Sequence, residues 1–136
     1  MGRPPVALRE CQTNPSRRIL VVEDSYEIRH LNVAVLVRSG YLVDAVEDGA
    51  AAWDTLQRER YDLVVTDNDM PNVSGVELME KIYASGVVLP VIMATGSLPK
   101  EFNRSPWLLP AAILIKPYSI HELLGAVQNV LRTVSP

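Results

Sequence analysis

The sequence predicts a doubly wound α/β fold: five parallel strands in the order 2-1-3-4-5, with helices on both faces. Three observations carry that expectation. Short apolar runs alternate with longer amphipathic runs along the chain. The short runs are nearly continuous in apolar and β-branched residues, as in strands buried on both faces. Crossovers between parallel strands are right-handed, which leaves few topologies for such an alternation.

The elements follow in order. Arg18 to Val22 is a buried-type strand that stops at Glu23-Asp24. Asp24 or Ser25 caps the next helix, where Ile28, Leu31, Val35 and Leu36 recur at helical spacing, and Ser39-Gly40 ends it. Tyr41 to Ala45 is the second strand. Asp48-Gly49 opens a second helix through Ala51, Ala52, Trp53, Leu56 and Gln57. Leu63 to Thr66 is the third strand, ending at Asp67. Ser74 caps a third helix with Val76, Leu78, Met79 and Ile82 on its apolar face, closed by Gly86. Leu89 to Ala94 is the fourth strand, ending at Thr95. Between Gly96 and Pro110, Pro99, Pro106 and Pro110 remove backbone donors and leave a short or irregular helix. Ala111 to Ile115 is the fifth strand, ending at Lys116-Pro117, and Ser119 to Arg132 is the last helix.

A chain of 136 residues fits one domain, expected over 17–133, with a flexible N-terminal tail over 1–16 and a short C-terminal tail over 134–136. The net charge of -3 lacks the basic excess of a nucleic-acid surface, so no nucleic-acid partner is expected. The lone Cys11 forms no internal disulfide, and no apolar stretch is long enough to span a bilayer. A cytoplasmic protein without membrane contact is the expectation.

In a sheet of this topology, ligands bind outside the carboxyl ends of the strands, at the switch between strands one and three. Strand one ends in Glu23-Asp24, strand three in Asp67, strand four in Thr95 and strand five in Lys116. Crowded carboxylates repel unless a cation or protons intervene. Mg²⁺ suits a few carboxylates, waters and phosphate oxygens. Asp67, on the central strand, is placed to be a nucleophile that forms an acyl phosphate. Lys116 and the Thr95 hydroxyl would hold the remaining phosphoryl oxygens.

These residues resemble the receiver domains of two-component response regulators, in particular single-domain, chemotaxis-receiver-like members with a flavodoxin-like fold. The matching segments are Ile19 to Asp24, Asp67-Asn68-Asp69-Met70-Pro71-Asn72-Val73-Ser74-Gly75, Met93-Ala94-Thr95-Gly96 and Lys116-Pro117-Tyr118. The resemblance runs from about Arg17 to about Arg132, and the family is mainly bacterial. It implies that a histidine kinase or histidine phosphotransfer protein donates the phosphoryl group to Asp67. It also implies Mg²⁺ held by Glu23, Asp24, Asp67 and the backbone carbonyl of Asp69. The Lys116-Pro117 bond is expected to be cis, as in the family. A downstream protein target is expected on the last two helices and the fifth strand, because nothing after the last helix offers an output domain.

Three positions and one segment depart from the family pattern. Ile113 stands where many receivers carry a switch aromatic, three residues before the lysine. Asp69 adds a carboxylate near the site, Ser74 replaces a common aspartate, and Gly96 to Pro110 is proline-rich and holds Trp107. Two rival functions stand beside the switch. One is a pseudo-receiver that binds a protein constitutively, which the complete acidic pair, Asp67, Thr95 and Lys116 argue against. The other is an aspartyl-phosphate phosphatase, suggested by the Asp67-x-Asp69 spacing. That family, however, puts its nucleophile on the first strand and needs a cap domain. His30 and His121 lie away from the strand ends and read as ordinary surface or partly buried residues, not as phosphocarriers.

Overall fold

The computed structural model of the protein describes residues 16–100 and 108–134. Cys11, Pro4, Pro5 and Pro15 of the expected N-terminal tail, together with Pro106 and Trp107, lie outside the described residues. The described elements are β1 (Arg18–Val22), α1 (Tyr26–Arg38), β2 (Leu42–Val46), α2 (Gly49–Leu56), β3 (Leu63–Asp67), α3 (Gly75–Ser85), β4 (Val91–Thr95), β5 (Ala112–Ile115) and α4 (Ile120–Val134). The strands form one sheet in the order β2-β1-β3-β4-β5, and every pairing is parallel. The expected topology is the observed one.

Side-chain alternation along the strands builds two cores. Ile19, Val21, Val65 and Ala94 face a layer that includes Leu36 of α1 with Leu123 and Val127 of α4. Leu20, Val22, Val64 and Met93 face Ala52 of α2 with Val76, Leu78 and Ile82 of α3. Both faces of the central strands are therefore dry, which is why their sequences read as continuous apolar runs.

Helix ends follow the capping chemistry in the sequence. Ser25 caps α1, and the Asp48 carboxylate accepts from the Ala51 amide at 2.7 Å to cap α2. Ser74 and Glu77 form a reciprocal capping box on α3, and Gly86 closes that helix at φ 82°. Ser119 and Glu122 exchange the same kind of hydrogen bonds ahead of α4.

Two expectations need correction. Ile28 and Leu31 share the helical spacing of Val35 and Leu36, yet they are 38% and 50% exposed; the residues α1 buries are Asn32 and Leu36. α1 carries apolar residues all round, so spacing alone did not fix its inner face. β4 starts at Val91, not Leu89: Pro90 has no amide hydrogen and serves the sheet only through its carbonyl, which accepts from Val64 N–H. Four of the five expected helices lie among the described residues. The helix expected between β4 and β5 falls largely on 101–107, outside them, and the described residues 96–100 and 108–110 form none. No helix of the described residues is long and apolar enough to cross a membrane.

Candidate functional site

The register of the sheet sets the site. Val22 of β1 lies opposite Thr66 of β3, Asp67 of β3 opposite Ala94 of β4, and Thr95 of β4 opposite Ile115 of β5. Glu23, Asp67, Thr95 and Lys116 therefore emerge side by side from the carboxyl edge. Glu23, Asp67 and Thr95 are buried, whereas Asp24 and Asp69 are exposed and Lys116 is half-buried.

The Lys116 ammonium donates to Asp67 Oδ1 at 2.6 Å and stands 3.8 Å from Asp69 Oδ2. Asp67 Oδ1 also accepts from the Asp69 backbone amide at 3.0 Å. Burial lowers the Lys116 pKa, but the hydrogen bond and charge of Asp67 outweigh it, and the net shift is upward. The ammonium is therefore a fixed positive charge beside Asp67. Glu23 is in the opposite position. Burial, first, and the charge of Asp67 push its carboxyl up to about 7, against the hydrogen bond it accepts from Ser25 N–H.

Glu23, Asp24 and Asp67 each offer a carboxylate oxygen, and these atoms lie within 4.8 Å of one another. An all-oxygen, acidic donor set with one exposed member fits a hard divalent cation that keeps some of its waters. The fit supplies a remedy for the cost of burying Glu23 next to Asp67.

The loop after β3 is held by residues that the sequence reading names in a matching segment but gives no structural role. Asn68 N–H donates to Ala94 C=O, its side-chain Oδ1 accepts from Val76 N–H at 3.0 Å, and its carbonyl accepts from Met70 and Gly75 amides. Asn72 takes φ 70°, a left-handed conformation that asparagine tolerates. Gly75 is needed for closeness: a Cβ there would lie 3.0 Å from Asn68 Cα and from the Asp67 carbonyl oxygen. The signal for Asn68 lay in the sequence, as a polar residue with local hydrogen-bonding capacity directly after a buried strand.

Thr95 is where expected but its hydroxyl donates to Ser97 C=O at 2.7 Å, so it is turned to its own loop. The Lys116–Pro117 peptide is cis. Ile113 lies partly buried on β5, opposite Met93. His30 and His121 are exposed, and His30 stacks on Tyr26 with ring centroids 5.7 Å apart.

Comparison with known proteins decides the family. The family model for the response regulator receiver domain matches residues 19–128. The chain belongs to that family. Response regulator RppA of Synechocystis is 39% identical to this receiver over 119 residues, covering 85% of the chain and 50% of RppA. Response regulator receiver protein CpdR of Brucella abortus is 31% identical over 116 residues, covering 85% of the chain and 97% of CpdR. The receiver thus spans about half the length of RppA and nearly all of CpdR. Among solved structures, chemotaxis response regulator CheY4 of Vibrio cholerae superposes with a TM-score of 0.76 at 27% identity, covering 85% of this chain and 98% of that one. Response regulator TrrA of Thermotoga maritima, solved with Mg²⁺-BeF, gives 0.73 at 30% identity, with 84% and 98% covered.

Proposed function

We propose that this receiver is a phosphorylation-dependent switch that accepts a phosphoryl group on Asp67 from a phosphohistidine. The observation that carries the reading is Asp67 itself. It is a buried carboxylate at the end of the central strand, flanked by Glu23 and Asp24 and bonded to Lys116 at 2.6 Å. An Asp67 carboxylate oxygen attacks phosphorus in line; the O–P bond forms, the P–N bond to histidine breaks, and the imidazole leaves with a proton from solvent. Lys116 binds a phosphoryl oxygen and offsets its charge. The Thr95 hydroxyl joins it after leaving Ser97, while Pro117 shapes the turn that aims Lys116.

Mg²⁺ would be held by Glu23, Asp24, Asp67 and the backbone carbonyl of Asp69, and when bound it screens the charge that builds up on the phosphoryl oxygens. Ile113 cannot act as a ring that swings between two positions, so the switch works through Thr95 and Lys116 without an aromatic at that position. The protein is a phosphoacceptor, not a turnover enzyme. Its donor is a histidine kinase or a histidine phosphotransfer protein, and the setting is the cytoplasm of a bacterium. The folded receiver unit covers 17–133. Output passes to a protein partner through β5 and α4, where Ile115 and Ile120 are exposed, together with the segment before β5.

The test is transfer from a histidine-phosphorylated phosphotransfer domain, followed as loss of label from the donor and gain on this chain. The reading requires transfer that EDTA stops and that Asp67→Asn abolishes. A wild-type chain that accepts no label and binds its partner equally well with or without a phosphoryl mimic is a constitutive binding module instead.

A further inference from the structure

Asn32 is an anomaly. It sits mid-way along α1 and is 5% exposed, one of the two residues that the helix buries, while Leu31 beside it is half exposed. A buried amide is costly unless it is bonded. The Asn32 side-chain amide donates to the Tyr118 hydroxyl at 2.8 Å, across 86 residues of sequence. Tyr118 is two residues after Lys116, and its ring packs against the core beneath α1 and α4.

The turn from Lys116 to Ser119 is anchored at three places. Lys116 N–H donates to Thr95 C=O at 2.9 Å, which ties the start of the turn to β4. Ser119 is tied to Glu122 at the start of α4. Between these ends, the Asn32–Tyr118 bond holds the turn to α1, the helix that follows Glu23 and Asp24. Lys116 Nζ meets Asp67 Oδ1 at 2.6 Å, and the anchored turn that carries its backbone fixes the point from which the side chain reaches across.

We propose that Asn32 is a positioning residue for Lys116, acting through its hydrogen bond to the Tyr118 hydroxyl. The proposal rests on the phosphoacceptor reading. It assigns Asn32 a role in placing the cation that meets the phosphoryl group, beyond satisfying a polar atom in the core. Misplacing a reacting or binding group by a fraction of an ångström weakens it severalfold, with no loss of the group itself.

The test uses beryllofluoride as a phosphoryl mimic, titrated at saturating Mg²⁺ and read by fluorine NMR, with Mg²⁺ affinity measured separately. The variants are Tyr118→Phe, the apolar pair Asn32→Leu with Tyr118→Phe, Lys116→Ala, and Tyr118→Phe combined with Lys116→Ala. Replacing both bonded groups by apolar ones leaves stability nearly unchanged, so the pair variant guards against unfolding. Tyr118→Phe and the apolar pair are expected to weaken mimic binding about 3–10-fold and to leave Mg²⁺ affinity within about twofold, because the cation ligands do not include Lys116. Tyr118→Phe should add nothing once Lys116 is alanine. Wild-type mimic affinity in Tyr118→Phe or in the apolar pair overturns the inference, as does a loss that persists in full without Lys116. A wild-type protein that binds no beryllofluoride removes the phosphoacceptor reading itself, and the inference falls with it.

Discussion

Replacing Lys116 with methionine keeps most of the unbranched side chain and removes its charged end. In the metal-free protein this leaves Asp67, whose side chain is 2% exposed, without the ammonium bonded to it at 2.6 Å. Removing one partner of a buried ion pair costs about 3–5 kcal/mol. The Lys116 side chain is 27% exposed, so water screens part of the interaction, and the expected loss is about 2 kcal/mol. With a urea slope of about 1.5 kcal/mol/M, the unfolding midpoint falls by about 1.3 M. Saturating Mg²⁺ should recover most of that loss, because the dication would sit against the same Asp67 carboxylate. Asp67→Asn in the Lys116→Met background should recover it without metal. The assay is urea unfolding followed by circular dichroism, in EDTA and in excess Mg²⁺. A loss below about 0.5 kcal/mol, or one that Mg²⁺ leaves unchanged, would refute the idea that lysine and cation compensate one charge.

Other perturbations test the frame around the site. Glu23 is raised from its ordinary 4.5 to about 7, so the folded metal-free protein holds a proton that the unfolded chain has released. Stability in EDTA should therefore fall as pH rises from about 4.5 to about 7 and stay low above it. Glu23→Gln should flatten that fall while weakening Mg²⁺ binding, as urea midpoints at pH 5 and pH 8 will show. Gly75→Ala places a Cβ 3.0 Å from Asn68 Cα and the Asp67 carbonyl oxygen; a cost of about 1–3 kcal/mol and a weaker Mg²⁺ titration are expected. Ser74→Ala removes one half of the capping box on α3 and should cost about 1 kcal/mol in thermal unfolding, with no change in Mg²⁺ affinity.

Most of the fold was legible because β1, β3 and β4 are buried on both faces, and such strands write themselves as unbroken apolar runs. The site was legible for a related reason. Once the strand order is fixed, whatever follows β1, β3, β4 and β5 must meet at one edge, so Glu23, Asp67, Thr95 and Lys116 could be collected without coordinates. What failed was the rotation of α1. Leu31 and Ile28 are as apolar as Leu36, and hydrophobicity alone gave no reason to prefer Asn32 for the inside. Asn32 and Leu36 are four apart and share a face, but a polar residue on a buried face becomes visible only with its partner, and Tyr118 is 86 positions away. The sequence also could not say that the Thr95 hydroxyl would turn to Ser97, since that depends on the local loop path. Asn68 was missed because its role is to bond backbone groups within the loop, which leaves no spacing pattern.

The central claim is that Asp67 accepts a phosphoryl group with the help of a divalent cation, and intact mass tests it most directly. The purified receiver and its Asp67→Asn variant would be incubated with a small-molecule phosphodonor, with Mg²⁺ or with EDTA, and weighed at once by mass spectrometry. The account predicts a gain of one phosphoryl group on the wild type only, and only with Mg²⁺. The same gain on Asp67→Asn would contradict the assignment of the acceptor. An undiminished gain in EDTA would contradict the role given to Glu23, Asp24 and the cation they would hold.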